Sequence, residues 1–222
     1  MGDVAIVAFT LRMAAIATAL SLPFGLGLAW LLARYRWPGK ALVETLVTLP
    51  LVLPPVATGM ILLKLAGRRG IGGSLFHRLF GAEVVFTWRA VVLAMMVMSF
   101  PFLVRQARVA FEEVPPRLQQ AARSLGAGET RVFFTITLPL AVRGVVGGVV
   151  LAFARAIGEF GATILVAGNI PGRTATVSLA IYSDLQLGKD GDAARLVGIA
   201  AVVAFLAVWI GESLLARRGR AR

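Results

Sequence analysis

Five long apolar runs constrain what this chain can fold into more than any other feature of its sequence. Crossing the hydrocarbon core of a bilayer as a helix takes roughly 20 apolar residues. The chain is 58% hydrophobic and 15% charged, with a mean hydropathy of +0.83. Globular soluble domains have about 25% charged residues. We therefore predict an all-α integral membrane protein that forms one domain over residues 1–222, with five spans at about 4–33, 41–65, 84–104, 138–166 and 193–215.

The net charge of +12 comes largely from cations at the ends of these runs. Flanking lysines and arginines follow the positive-inside rule, and they favour a lipid surface over nucleic acid as the partner. Thirteen of them fall on one side of the predicted spans and eight on the other. The richer side includes residues 105–143 and the C-terminal tail. We therefore expect the N-terminus outside and the C-terminus in the cytoplasm of a multi-pass protein.

Few residues in the chain can carry covalent or metal chemistry. There is no cysteine, which excludes disulfides and thiolate sites, and His77 is the single histidine. One histidine without partners cannot build a metal site. We therefore predict no cofactor, no metal and no catalytic residue.

The second apolar run contains the stretch TLPLVLPPVATG, with prolines at 50, 54 and 55. Proline removes a backbone donor and breaks or kinks a helix. Inside a bilayer the freed carbonyl groups must face protein or a water-filled cavity. The cluster is compatible with a segment that lines a pathway and equally with a kink that serves packing.

A polar segment at 112–137 separates the third and fourth runs. Pro115 and Pro116 suit the start of a helix, and Gly126 is a plausible left-handed C-cap. Between them the apolar residues fall at helical spacing, which predicts a short amphipathic helix on the cytoplasmic side. The apolar stripe consists of Leu118, Ala121, Ala122 and Leu125. Such a helix can lie in the lipid interface or contact a soluble partner.

The stretch QAARSLGAGETRVFFTITLPL resembles the EAA loop of ABC-importer membrane subunits. The family pattern falls on Gln120, Ala121, Ala122, Gly126 and Leu138-Pro139, and it departs at Gln120, where the family has glutamate. The resemblance implies the type I importer permease fold, with this helix coupled to a cytoplasmic ATPase. The implied coupling residues are Arg117, Leu118, Gln120, Ala121, Ala122, Arg123, Leu125 and Gly126. The chain has no G-x-x-x-x-G-K-[ST] motif, so we expect ATP hydrolysis in a separate subunit.

A second stretch, LAFARAIGEFGATILVAGNIPGRT at 151–174, resembles the oxyanion branch of these permeases and looks most like molybdate permeases. A sulfate or thiosulfate permease of the same architecture is the alternative. The family implies import across the cytoplasmic membrane by alternating access. It also implies a second copy of this chain, two ATPase subunits and a periplasmic oxyanion-binding protein.

Arg155 and Glu159 lie four residues apart within the fourth apolar run, and Thr163 follows one turn later. Ionisable residues within a span are costly and usually face a partner or a wet cavity. At this spacing the two charged side chains can pair with each other. We prefer that pairing, with a contact to an anion in the translocation path as the other interpretation for all three residues.

Two other classes of membrane protein fit the sequence less well. A membrane-embedded enzyme would need converging acids, histidines or a metal set inside the bilayer. A passive channel or secondary carrier would have no task for an amphipathic cytoplasmic helix.

Overall fold

A computed structural model describes residues 2–217, apart from the side chains of 212 and 214–217. The arginines of the C-terminal tail that enter the charge count, Arg218, Arg220 and Arg222, lie outside the described residues. The helices are α1 (Asp3–Arg34), α2 (Lys40–Val52), α3 (Pro55–Ala66), α4 (Ile71–Phe80), α5 (Trp88–Glu112), α6 (Pro116–Ser124), α7 (Glu129–Val132), α8 (Leu138–Ile157), α9 (Gly161–Ala167), α10 (Val177–Gln186) and α11 (Asp190–Arg217). A π-helical turn, Phe133–Thr137, joins α7 to α8.

Four continuous helices are long and apolar enough to cross a membrane. They are α1, α5, the helix Glu129–Ile157 formed by α7, the π-helical turn and α8, and Asp190–Gly211 within α11. The pair α2 and α3 qualifies together but is bent by 115°. By length and composition, the described residues therefore supply four candidate spans, and the bent pair α2 and α3 is a fifth candidate that is broken or re-entrant.

The bend between α2 and α3 lies at the prolines. Pro54 takes the N-cap position of α3 and Pro55 its first helical position, where a missing N–H costs nothing. Pro50, in contrast, remains inside α2. With 13 residues, α2 reaches about 20 Å, which is shorter than the roughly 30 Å hydrocarbon core. The predicted span 41–65 is therefore two helical pieces.

The fourth run differs from the predicted continuous span 138–166. Its helix begins earlier, at Glu129, and ends at Ile157, while α9 begins only at Gly161. The break lies at Phe160, whose φ of −133° and ψ of −60° are not helical. Glycine at 158 and 161 lowers the preference for helix on both sides of this point.

The third run forms a longer helix than the predicted 84–104. Thr87 caps the helix by accepting a hydrogen bond from the Arg89 N–H, so α5 starts at Trp88. At the other end an ion pair between Arg108 and Glu112 supports further turns beyond the apolar part. The predicted loop 112–137 is helical at its C-terminal end, because α7 begins at Glu129 and continues into the π-helical turn.

The core is built around α5, which packs against α1 and α8. Side chains such as Met95 and Leu103 are fully buried there. Glycines on α8 allow close packing against α5, because a Cβ atom at Gly144 would overlap the Ala110 Cβ and one at Gly148 would lie 3.1 Å from the Gln106 Cβ.

The two more polar segments between the apolar runs, 67–83 and 168–192, contain helices. Residues 67–83 form α4, and residues 168–192 contain α10, which packs against α1 and α11. The Thr10 hydroxyl accepts a hydrogen bond from the Val177 N–H, 3.0 Å away, and fixes the start of α10 against α1. An ion pair between Asp3 and Arg195 joins the starts of α1 and α11.

Candidate functional site

The helix α6 starts and stops where the sequence predicts. Pro115 is its N-cap residue and Pro116 its first helical residue. Beyond the last turn Gly126 has φ +82°, a left-handed conformation that glycine adopts without the penalty of a Cβ atom. The Ala127 N–H then donates to the Ala122 carbonyl at 3.0 Å and closes the helix end.

The apolar stripe of α6 is not covered by the rest of the chain. Every residue of α6 is exposed or half-buried, although the helix packs against α7 and the π-helical turn. Leu118 is 47% exposed, and Leu125, just after the helix, is 89% exposed. Ala121 lies between them and is exposed as well. This row is a continuous apolar surface beside polar side chains.

An ion-pair network fixes α6 to the base of the long helix that follows it. The Arg123 Nε donates to Glu129 Oε1 at 2.6 Å, and its Nη2 lies 3.3 Å from Glu129 Oε2. Gln119 accepts from the same guanidinium, and Arg34 at the end of α1 lies 3.6 Å from Glu129. A two-pronged arginine–carboxylate pair fixes orientation as well as distance. Glu129 was not predicted as part of this site, because it meets Arg123 only through the turn at Gly126.

A second candidate site lies where α3 and α9, the helices that follow the two breaks, pack backbone to backbone. A Cβ atom at Gly59 would lie 2.8 Å from the Ala162 Cα, and one at Gly161 would lie 2.7 Å from the Pro55 Cβ. Any larger residue at either glycine would push the two pieces apart. The breaks before α3 and before α9 therefore lie in one contact region, and we call this contact between Gly59, Pro55, Gly161 and Ala162 the joint.

Arg155 and Glu159 lie at this joint and contact each other. Arg155 Nη2 is 2.8 Å from Glu159 Oε2, while the other carboxylate oxygen accepts from the Ala162 N–H at 2.8 Å. The Glu159 side chain is 1% exposed and that of Arg155 is 26% exposed. Glu159 thus bridges α8 and the first turn of α9, which accounts for the geometry of the break.

An open cavity of about 550 Å³ adjoins this pair, with Pro55, Val56 and Phe160 also in its wall. Thr163 is fully buried, and its hydroxyl oxygen has no hydrogen-bond partner. It is absent from the described lining of this cavity. The structure therefore brings Arg155 and Glu159 to one cavity and places Thr163 outside its wall.

A charged cavity of about 530 Å³ between α1, α2 and α5 was not predicted. Its wall contains Glu44, Arg105 and Arg108, with the hydroxyls of Thr45 and Thr48. Glu44 lies 2.8 Å from Arg108 and 3.8 Å from Lys40. An acid inside the second apolar run was the signal in the sequence. In the described part of the chain, no three potential metal-binding acids or histidines cluster.

A comparison with known proteins now decides the family. The model of the family described as "Binding-protein-dependent transport system inner membrane component" matches residues 21–217. This chain belongs to that family. With its long apolar helices, it is a multi-pass protein of the inner membrane.

Individual relatives agree with the family. The molybdenum transport system permease protein ModB of Escherichia coli K12 is 51% identical over 97% of this chain and 94% of its own length. The Haemophilus influenzae protein of the same name is 43% identical over 97% of this chain and 94% of its own. The sulfate transport system permease protein CysT of Salmonella typhimurium is 36% identical over 95% of this chain and 76% of its own.

Solved structures show the same fold. The chain resembles one from inward-facing crystals of the MetNI methionine ABC transporter, with a TM-score of 0.76, 18% identity, and coverage of 96% of this chain and 94% of the other. A bacterial alginate ABC importer gives a TM-score of 0.73 at 18% identity, with 96% and 78% coverage. At this identity the likeness establishes the type I importer permease fold and nothing further.

Proposed function

We propose that this chain is the membrane-spanning permease subunit of an ATP-driven importer that carries molybdate into the cell by alternating access. The observation that carries the proposal is its 51% identity to a molybdenum transport permease over almost its full length. Identity to the sulfate permeases is 36%, which makes sulfate or thiosulfate the second candidate substrate.

The uncovered stripe on α6 supports coupling to a cytoplasmic ATPase. Leu118, Ala121 and Leu125 present an apolar row, and Arg123 connects the helix to Glu129 at the foot of the span that leads to α8. A partner that displaces α6 would therefore pull directly on a membrane helix. We assign Arg117, Gln120, Ala122 and Gly126 to the same docking element, in which Gly126 fixes the angle at which α6 leaves the loop.

Two identical permease chains, two ATPase subunits and an external oxyanion-binding protein complete the proposed importer. The alginate importer, which has the same fold, was crystallised with a periplasmic protein bound to alginate pentasaccharide. With α6 in the cytoplasm, the starts of α1 and α5 face outward, which agrees with the excess of cations on the α6 side.

We place the translocation path along the cavity beside Arg155. Because Glu159 pairs with Arg155 and caps α9, the positive charge that meets a passing anion is partly compensated. A partly compensated site suits transport, since a fully uncompensated cation would bind the dianion too firmly to release it. Glu159 acts here as a positioning residue for Arg155.

Reconstitution tests this function. The chain, its ATPase and its binding protein are placed in proteoliposomes, and ATP-dependent uptake of labelled molybdate is measured with and without excess sulfate. We expect molybdate uptake that sulfate inhibits weakly. Uptake of sulfate in preference to molybdate would establish the second candidate, and uptake without the ATPase would contradict both.

The orientation and the docking site can be tested with the same chain, because it has no cysteine of its own. A single cysteine at Ala121 should crosslink to the ATPase and resist membrane-impermeant thiol reagents in intact cells. A cysteine at Leu187, exposed after α10, is the matched control and should react from outside. The reverse labelling pattern would contradict the proposed orientation.

A further inference from the structure

A third cavity lies at the end of the bundle where α1 and α5 begin, away from α6 and from the Arg155 joint. Its volume is about 330 Å³, and its lining includes Arg12, Arg173 and Trp88. Phe9, Met13 and Ile16 of α1 form an apolar wall. No residue of this cavity belongs to the coupling element or to the cavity beside Arg155.

The two arginines at this cavity lack a counter-charge. No acidic side chain is found among the described residues that line it. The ion pairs formed within residues 2–217 leave out both Arg12 and Arg173, and both side chains are exposed. Arg89 adds a third cation nearby, with its guanidinium 5.1 Å from the Trp88 ring centre. Cations that line one cavity without an acidic partner give it a positive potential, which favours an anion there.

The position of Arg12 along α1 is a further reason to expect an anionic group at this cavity. Arg12 lies about 13 Å along α1 from Asp3, in a helix about 48 Å long. If a hydrocarbon core of about 30 Å is centred on that helix, Arg12 lies near its boundary with the headgroups. A cation at that depth is stabilised by reaching a phosphate or water layer. Trp88, 44% exposed, is of the residue type that accumulates in this layer.

The start of α5 adds to the same positive potential. Thr87 and Trp88, its N-cap and first residue, both line the cavity. The N-terminus of a 25-residue helix carries a partial positive charge. Two guanidinium groups, a helix N-terminus and an apolar wall thus surround one space.

We propose that this cavity binds a tetrahedral oxyanion group, held between Arg12 and Arg173. The group can come from two sources. One is the phosphate of an outer-leaflet phospholipid, whose acyl chains would lie along Phe9, Met13 and Ile16. The other is a free oxyanion of the kind that the chain is proposed to carry. The lipid source does not depend on the proposed function.

The test compares two variants of the full-length chain that lose the same charge. Arg12→Gln with Arg173→Gln removes both cations from the cavity. Arg69→Gln with Arg78→Gln removes two exposed cations that do not line it. Because all four side chains are exposed, we expect both proteins to fold, which gel filtration and circular dichroism check. The single variant Arg173→Gln serves if the first double variant does not fold.

The lipid arm counts phospholipids that remain bound to each protein in native mass spectrometry, after purification in phosphatidylglycerol and in a diacyl glycolipid without phosphate. The free-anion arm titrates sodium molybdate, sulfate and inorganic phosphate against tryptophan fluorescence, with Trp88→Phe to identify the signal. Removing two charged donors should weaken binding at least about tenfold.

The outcomes separate the sources. Loss of one retained phosphatidylglycerol in the cavity variant alone identifies the lipid phosphate. Loss of a saturable Trp88 signal in that variant alone identifies the free oxyanion. If the cavity variant and the control variant behave alike in both arms, the proposal is overturned. A failed molybdate transport assay would leave the lipid result standing, so the two proposals fail separately.

Discussion

Replacing Arg123 by glutamine should uncouple ATP hydrolysis from transport while leaving the ATPase bound. The substitution removes the two hydrogen bonds to Glu129, at 2.6 and 3.3 Å, that fasten α6 to the helix leading into α8. It leaves the exposed apolar row of Leu118 and Leu125 in place. The ATPase should therefore still dock, but its movement should be transmitted less efficiently to the membrane helix that contains α8.

The free energy that the Arg123–Glu129 ion pair contributes can be judged from its exposure to solvent. The side chains of Arg123 and Glu129 are 25% and 41% exposed, so solvent screens their attraction. Exposed pairs contribute about 0.2–1 kcal/mol, and the two-pronged geometry places this one near 1 kcal/mol. That energy corresponds to about a fivefold shift between the fastened and released arrangements.

The assay measures molybdate transported per ATP hydrolysed in proteoliposomes, together with recovery of the ATPase in purification. We expect a ratio lower by up to about fivefold, with normal ATPase recovery. Arg123→Lys should restore part of the ratio, since it keeps the charge without the planar fork. Arg131→Gln, an exposed arginine on the neighbouring α7, is the control and should behave as wild type. A wild-type ratio in Arg123→Gln would refute the reasoning.

Three further perturbations test other parts of the structure. Leu125→Glu places a carboxylate at an 89% exposed position. It should abolish copurification of the ATPase while the thermal stability of the chain is unchanged. Retained copurification would contradict docking on the apolar stripe of α6. Gly59→Ala puts a Cβ atom 2.8 Å from the backbone of α9; we expect a loss of about 1–3 kcal/mol, measured by thermal unfolding against Gly27→Ala, which meets open space. Glu159→Gln removes the charged cap and the partner of Arg155; we expect a loss of about 2 kcal/mol, part of which Arg155→Gln should recover, and an unchanged unfolding midpoint would contradict this.

Much of the local structure could be read from residue types and spacing. Pro116 and Gly126 bracket α6 within one residue of the predicted ends, because proline and glycine restrict or free the backbone locally. The bend after Leu53 follows from the prolines beside it for the same reason. The break after Gly158 was not predicted, since a helix can contain single glycines and a Glu159 cap on α9 is visible only once the bend has formed.

Residue types and their spacing are enough to identify a helical membrane protein with an amphipathic segment between its third and fourth apolar runs. The length of an apolar run and its helical periodicity depend only on residues that are close in the sequence, so both can be recognised without the tertiary structure. Tertiary structure decided which charges meet. Glu129 reaches Arg123 across a turn, and Arg12 shares a cavity with Arg173, which is distant from it in the sequence. Such contacts depend on how helices pack in space, which no local pattern specifies.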